Sequence, residues 1–216
     1  MSKELLTELV FILDRSGSMS GLEDDTIGGY NSLIEKQKKA SGKALLSTIL
    51  FDNHFETIHD RLPIEVVNPL SKADYYVRGT TALLDAIGRS IMKISNIHMM
   101  IESEAKPDKV MFVITTDGYE NASSEFSYEK IKQLIDLKKE KEQWEFIFLG
   151  ANINAEQVGI KMGIDETHTA NYHADSEGTL LNYSVLSDAI ESYRKTSDLK
   201  KEWKKSIDQD YQKRKK

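Results

Sequence analysis

The feature that most constrains the fold of this chain is an apolar run that stops at an aspartate. Residues Leu9 to Leu13 are all apolar, and Asp14 follows them directly. A short run of this kind is typical of a strand that is buried on both faces, as in a parallel sheet. A charge at the end of such a strand lies at the carboxyl edge of the sheet, where open α/β folds bind their ligands. The sequence therefore predicts an α/β fold with a ligand site directly after this strand.

Strands and helices are predicted to alternate along most of the chain, which is the pattern of a doubly wound sheet. The turn residues Asp52-Asn53 join two predicted strands so closely that this pair must be antiparallel. We therefore predict a three-layer, Rossmann-like α/β fold whose sheet is mostly parallel with one antiparallel edge strand. The further strands are predicted at 44–51, 55–58, 109–116, 145–149 and 167–172, and the helices at 21–40, 82–104, 127–142, 155–162 and 176–195.

The length of 216 residues suits one α/β domain with a substantial core. We place this domain at residues 1–197 and a basic amphipathic helix or tail at 198–216. Apolar residues recur every fourth position in the tail, which predicts a helix with one apolar face. Packing of that face on the domain is the favoured interpretation, and docking of a partner is the alternative. The apolar positions are Leu199, Trp203, Ile207 and Tyr211.

Composition narrows the function classes. The chain has no cysteine, which excludes a disulfide framework, a thiolate metal site and a cysteine nucleophile. A net charge of −6 argues against nucleic acid as a partner, because nucleic-acid-binding surfaces are basic. No apolar run is long enough to span a bilayer, and no hydrophobic signal segment precedes the first strand. We therefore expect a cytoplasmic protein with no membrane partner.

The loop after the first strand offers oxygen ligands at alternate positions. Asp14, Ser16 and Ser18 provide a carboxylate and two hydroxyls, and Gly17 allows a tight turn between them. Oxygen ligands without His or Cys suit a hard cation, with Mg²⁺ favoured over Mn²⁺ or Ca²⁺. Taken alone, the same residues would be interpreted as a helix start capped by serine.

Asp-x-Ser-x-Ser after a buried strand resembles the metal-ion-dependent adhesion site of von Willebrand factor type A domains, in the form found in prokaryotes and phages. That pattern also requires a threonine in a later loop and an aspartate after a later strand. The stretches 79–86 (GTTALLDA) and 113–118 (VITTDG) supply both. The resemblance implies that Thr81 and Asp117 complete the metal site, with Thr80 as the neighbour that could take the place of Thr81. It also implies that Asp14 and Asp117 act through bound waters.

The function implied by this set of residues is capture of an acidic side chain. The protein would hold the cation, and an Asp or Glu carboxylate of a partner protein would complete the coordination of the ion. The chain would then serve as a non-enzymatic protein-binding module, for instance as an accessory subunit of a larger complex. One alternative is a scaffold with a purely structural metal that contacts partners through the C-terminal helix. A metal-dependent hydrolase is disfavoured. Dehalogenase-type phosphatases need an acid at the position of Ser16, and neither a Gly-x-Ser-x-Gly elbow nor a Walker motif is present.

Several residues near these motifs receive other interpretations. Arg15 is expected at the loop surface, Asp52 in a turn, and Asp85 as an acceptor at a helix start. The paired glycines Gly28 and Gly29 are expected where a helix packs closely on the sheet. Surface or packing roles are expected for the five histidines. Loop residues expected to rim the metal site are Met19, Tyr119, Glu120 and Asn121.

Overall fold

A computed structural model describes residues 5–214 as a six-stranded sheet between two layers of helices. The strand order is β3-β2-β1-β4-β5-β6, and every neighbouring pair is parallel except β2–β3. This confirms the predicted fold class, including its antiparallel edge strand. The strands are β1 (Leu6–Asp14), β2 (Lys43–Phe51), β3 (Phe55–Pro63), β4 (Lys109–Thr116), β5 (Glu145–Ala151) and β6 (Thr169–Tyr172).

Helices cover both faces of the sheet. The core on one face includes side chains from α1, α5 and α6, and the core on the other face includes side chains from α2, α3 and α4. Strand β1 contributes alternately to the two, with Phe11 in the first core and Ile12 in the second, which explains its unbroken apolar run. The helices are α1 (Glu23–Lys39), α2 (Leu83–Met100), α3 (Tyr128–Glu142), α4 (Ala155–Lys161), α5 (Ser176–Thr196) and α6 (Lys205–Arg214).

Strand β1 lies at the centre of the sheet, between β2 and β4. In the pairing register, Asp14 is opposite Phe51 of β2, and Leu13 is opposite Thr115 of β4. The carboxyl ends of the three strands therefore lie side by side. The loops that follow β1, β2 and β4 leave the sheet at the same edge, which is where ligands bind in open α/β folds.

Two predicted boundaries were wrong by about four residues or more, whereas the others agree with the structure to within about two residues. Strand β3 continues to Pro63 instead of ending at residue 58, because a shift in its register with β2 and the positive φ of 49° at Arg61 keep the later residues in the ladder. Helix α2 ends at Met100 instead of residue 104. The chain uses residues 101–108 to turn back toward the first residue of β4, Lys109.

The C-terminal segment packs on the domain. Leu199 and Ile207 belong to the core that includes α1 and α5, and the Trp203 indole donates a hydrogen bond of 2.8 Å to the carbonyl of Thr167. Helix α6 begins only at Lys205, so the first part of the predicted apolar stripe precedes the helix. The domain boundary at 197/198 stays a prediction. The last two residues of the predicted tail, 215–216, lie outside the described residues, as do residues 1–4. Within residues 5–214, no helix has both the length and the apolarity of a membrane span.

Candidate metal centre

Two loops bring the predicted hydroxyl ligands together. Ser16 and Ser18 follow β1, and Thr81 lies in the loop that precedes α2. The Ser16 Oγ is 3.0 Å from the Ser18 Oγ, and the Thr81 Oγ1 donates to the Ser16 Oγ at 3.0 Å. Thr81 is buried, whereas its neighbour Thr80 is exposed. The geometry therefore favours Thr81 over Thr80 as the threonine of the site.

Asp14 precedes the two serines of this hydroxyl cluster, and within residues 5–214 its carboxylate has no ion-pair partner. Its Oδ1 accepts the backbone N–H of Ser16 at 2.7 Å, and its Oδ2 accepts the hydroxyl of Thr116 at 2.5 Å. The residue is only 1% exposed. Burial raises the pKa of Asp14 to about 6 in spite of these hydrogen bonds, and the charge of Asp117 raises it further. The ionised form therefore needs more positive charge than the protein supplies at this point.

Asp117 follows β4 and adds a second buried carboxylate. It is 2% exposed, and its Oδ1 has no hydrogen-bond partner. Burial raises its pKa, although a hydrogen bond with the Ser18 hydroxyl opposes the shift. The next residue, Gly118, borders the hydroxyls as well. A Cβ added to it would lie 3.2 Å from the Ser18 Oγ and 3.6 Å from the Thr81 Oγ1. Asp14 and Asp117 thus face the same small space as the hydroxyls.

These residues fit a hard divalent cation. An unpartnered buried carboxylate oxygen is costly unless a positive charge offsets it. Neutral hydroxyls with two carboxylates form an oxygen donor set of the kind that Mg²⁺ and Mn²⁺ accept. Residues 5–214 contain no cluster of three or more His, Asp and Glu side chains that could hold a metal. A cation at this edge would therefore depend on the hydroxyls of Ser16, Ser18 and Thr81.

Residues that the motif did not identify hold Thr81 in place. The Asn121 Oδ1 accepts the backbone N–H of Thr81 at 2.9 Å, and the Asn121 N–H donates to the Thr81 carbonyl at 3.0 Å. The Glu120 carboxylate accepts the N–H of Leu84 in the first turn of α2. Glu120 and Asn121 therefore brace the threonine loop in addition to lying near the site.

Two interpretations of the surrounding residues need correction. Met19 is 4% exposed and packs inward, so the prediction that it rims the site was wrong, whereas Tyr119 is 58% exposed. Asp85 does accept hydrogen bonds, but from the loop that follows Asp117 instead of from its own helix. Its carboxylate bonds to the N–H groups of Ser124, Glu125 and Phe126.

The expected surface position of Arg15 was also wrong, because this side chain is 0% exposed. Its Nε donates to the Asp52 Oδ2 at 3.1 Å, and its Nη2 donates to the Glu56 Oε2 at 2.6 Å. Loop composition alone suggested exposure, but the β2–β3 hairpin carries two carboxylates to the guanidinium. Asp52 is therefore part of a buried ion pair as well as a turn residue.

Comparison with solved structures relates this architecture to a known fold. The vWF domain of the type V pili tip protein Mfa5 from Porphyromonas gingivalis superposes with a TM-score of 0.62 at 8% identity, over 91% of this chain and 99% of that one. A von Willebrand factor type A structure from Catenulispora acidiphila gives 0.59 at 10% identity, over 86% and 42%. The chain has the von Willebrand factor type A fold. No protein-family model and no curated protein matches the sequence.

A third structure with this von Willebrand factor type A fold carries a metal. Proximal thread matrix protein 1 from the mussel byssus, solved with a zinc-occupied metal-ion-dependent adhesion site, has a TM-score of 0.57 at 13% identity over 88% of this chain. The chain spans about half of that protein, 46% of its length. At this identity the similarity establishes the fold alone.

Proposed function

We propose that this protein binds a divalent cation at the carboxyl edge of its sheet and uses it to capture a carboxylate of a partner protein. The hydroxyls of Ser16, Ser18 and Thr81 would hold the cation, and Asp14 and Asp117 would balance its charge. Mg²⁺ is the favoured ion, with Mn²⁺ or Ca²⁺ as alternatives. The observation that carries the proposal is the Asp117 Oδ1, which is buried and unpartnered beside a second buried carboxylate.

Capture of an anionic group follows from the composition of the donor set. Hydroxyls are neutral ligands, so a cation held mainly by them retains much of its attraction for a further anionic oxygen. Ser18 is exposed, which leaves the hydroxyl cluster open on that side. The side chain of an Asp or Glu is the protein group that would satisfy such a cation. The mussel protein with this fold was solved with zinc in its metal-ion-dependent adhesion site, which supports the cation-binding part of the proposal.

The proposed role is binding without catalysis. In one of the protein's hydroxyl–imidazole pairs, the Thr48 Oγ1 lies 3.0 Å from the His59 Nδ1, a distance that would suit a nucleophile and its base. Both residues are buried where β2 pairs with β3, so a substrate would not reach them. This pair therefore favours a packing role for the histidine and gives no support to a hydrolase.

A scaffold that contacts its partners through the C-terminal helix is the second candidate. Its test must spare the core, because Leu199 and Ile207 are buried and deletion of the segment would expose the residues that they cover. Charge reversal of the exposed lysines is the suitable change. Retained association in that variant favours the metal site. The lysines are Lys200, Lys201, Lys205 and Lys213.

Mn²⁺ titration followed by electron paramagnetic resonance tests the cation site directly. Thr81→Ala should weaken Mn²⁺ binding by about tenfold or more, because it removes a ligand of the ion. Thr80→Ala is the matched control, since the neighbouring side chain is exposed, and it should bind Mn²⁺ like the wild type. Failure of the wild type to bind Mn²⁺, or equal effects of the two substitutions, would contradict the proposal.

The partner step is tested by affinity capture from the host in Mg²⁺, in chelator, and with the Thr81→Ala chain. In Mg²⁺, a true partner is retained by the wild type and by the Thr80→Ala control. It is lost in chelator and with the Thr81→Ala chain. Replacement of the acidic side chains of the purified partner should then abolish association. Association that persists in chelator would rule out capture through the cation.

A further inference from the structure

Arg15 places a buried positive charge inside the proposed cation loop. It lies between Asp14 and Ser16, and its side chain is 0% exposed. A guanidinium so close to a cation site opposes cation binding by repulsion. It also competes for the carboxylates of the site, because a guanidinium is a good partner for a carboxylate. A site with this sequence therefore needs a group that neutralises Arg15 and keeps it turned away.

Asp52 is the buried group that meets this need. Its Oδ2 accepts from the Arg15 Nε at 3.1 Å and from the Arg78 Nε at 2.7 Å, and its Oδ1 accepts from the backbone N–H of His54 at 2.6 Å. Its side chain is 0% exposed. Burial alone would raise the pKa of Asp52, but the hydrogen bonds from Arg78 and His54 and the charge of Arg15 hold it below its ordinary value. The carboxylate therefore stays ionised at neutral pH.

The position of Asp52 also joins the loops that carry the proposed ligands. Its carbonyl accepts the N–H of Ala82, the residue after Thr81, at 2.9 Å. Arg78, which shares its carboxylate, donates its backbone N–H to the Arg15 carbonyl at 2.9 Å. The side chain of Asp52 thus lies between two arginines that belong to two different ligand loops.

The second carboxylate near Arg15 is less effective. Glu56 accepts from the Arg15 Nη2 at 2.6 Å, but its side chain is 49% exposed. Solvent screens an exposed carboxylate and allows it to move, so its contribution to a buried charge is smaller. The neutralisation of Arg15 depends chiefly on Asp52.

We propose that Asp52 is a positioning residue for the cation site, which neutralises Arg15 and holds its guanidinium away from Asp14 and Asp117. This inference rests on the proposed function, because it requires that the site bind a cation. It extends that function to a residue outside the ligand motif, in the turn between β2 and β3. Without the Asp52 carboxylate, the guanidinium would act as an internal competitor of the cation.

The test compares Mn²⁺ affinity in four proteins: wild type, Asp52→Asn, the double variant Arg15→Met/Asp52→Asn, and Glu8→Gln. The last is a matched control, because Glu8 is also 0% exposed and also pairs with an arginine and a histidine. It lies six residues before Asp14 on β1, away from the ligand loops. Urea unfolding in chelator reports the stability of each chain independently of the metal.

We expect Asp52→Asn to weaken Mn²⁺ binding by about tenfold or more, and the double variant to recover most of that loss because it also removes the competing charge. Glu8→Gln should change the affinity by less than about twofold while it lowers the stability in urea. A purely structural role of Asp52 would give no recovery in the double variant. No recovery, or equal losses in Asp52→Asn and Glu8→Gln, would overturn the proposal.

If Asp52→Asn does not fold, Arg15→Met alone decides the question. It removes the positive charge and leaves Asp52 paired with Arg78, so the affinity for Mn²⁺ should equal or exceed that of the wild type. A loss of about tenfold would overturn the proposal. A wild-type chain that binds no Mn²⁺ would overturn the proposed function and this inference together, whereas wild-type binding that Asp52→Asn leaves unchanged would overturn this inference alone.

Discussion

Two buried carboxylates on the same strand have opposite surroundings. Glu8 and Asp14 lie near the two ends of β1 and are 0% and 1% exposed. The Glu8 oxygens accept from the Arg61 Nε at 2.5 Å and from the His98 Nε2 at 2.6 Å. Asp14 receives only neutral donors, the N–H of Ser16 and the hydroxyl of Thr116. Among the described residues, a cationic side chain pairs with the carboxylate at one end of the strand and none pairs with the carboxylate at the other.

The difference separates a carboxylate that the fold itself neutralises from one that it leaves without a counter-charge. A buried carboxylate is stable when a positive partner and hydrogen bonds offset its desolvation. Glu8 meets that condition within the chain. Asp14 does not, and Asp117 adds a second negative charge beside it. The deficit lies at the carboxyl edge of the sheet, where this class of fold binds ligands, so we infer that a cation from solution completes the site.

The largest expected effect comes from replacing one buried carboxylate near each end of β1. Glu8 lies near the start of the strand, and Asp117 lies near Asp14 at its end. Glu8→Gln should lower the free energy of unfolding by about 3 kcal/mol, because it leaves the Arg61 guanidinium without its buried counter-charge. Asp117→Asn should stabilise the metal-free protein slightly, because burial disfavours the ionised form of Asp117 and raises its pKa. Urea unfolding at pH 7 in chelator measures both.

Mn²⁺ should narrow the difference in stability between the two variants. Glu8→Gln should regain stability on addition of Mn²⁺ as the wild type does, whereas Asp117→Asn should gain little, since ligand binding stabilises only a native state that binds it. If Asp117→Asn were destabilised in chelator as strongly as Glu8→Gln, the two carboxylates would have equivalent structural roles and the comparison would fail.

The sequence predicted the edge on which the carboxylates meet. The apolar runs before Asp14 and Asp117 identify buried strands, and parallel strands end at the same edge of a sheet, so topology alone brings these two residues together. Thr81 precedes a helix and follows no strand, so its place depended on resemblance to a known motif. The hydrogen bond between Thr81 and Ser16 agrees with that placement.

The supporting contacts could not be predicted in the same way. Arg15 and Asp52 are 37 residues apart, and Glu8 and His98 are 90 residues apart. Neither pair follows a helical or strand period, which is the signal that local sequence patterns carry. Loops without periodicity receive their partners from the tertiary fold. Asn121 illustrates this, because only the folded loop brings its amide to the backbone of Thr81.

A smaller effect is expected from crowding the site without removal of a ligand. Gly118→Ala would place a Cβ 3.2 Å from the Ser18 Oγ, closer than most real Cβ contacts, so the hydroxyl must shift. Mn²⁺ affinity should fall about fivefold, with little change in the unfolding midpoint in chelator. Gly28→Ala is the control, since a Cβ there meets nothing within 4 Å. Equal affinities of the two alanine variants would place the cation elsewhere.

The same comparison extends to a partly exposed pair, where the effect should be smallest. The His168 Nε2 lies 3.1 Å from the Glu145 Oε2, and its Nδ1 lies 3.0 Å from the Asp165 Oδ1, with 23% of the ring side chain exposed. Burial would lower the pKa of His168, but the two carboxylates outweigh it and the pKa is raised. Its folded pKa therefore exceeds the unfolded value of about 6.5.

A raised histidine pKa stabilises the fold fully below the unfolded pKa, and this stabilisation is lost as the pH rises through the folded pKa. His168→Gln should therefore lower the free energy of unfolding at pH 6, by less than about 1 kcal/mol because solvent screens the pair. The difference between the variant and the wild type should shrink toward pH 9. Urea unfolding across this range measures it. A difference that grows with pH would mean that the neutral ring is the stabilising form. The two carboxylates would then not stabilise a charged His168 as Glu8 stabilises the Arg61 guanidinium.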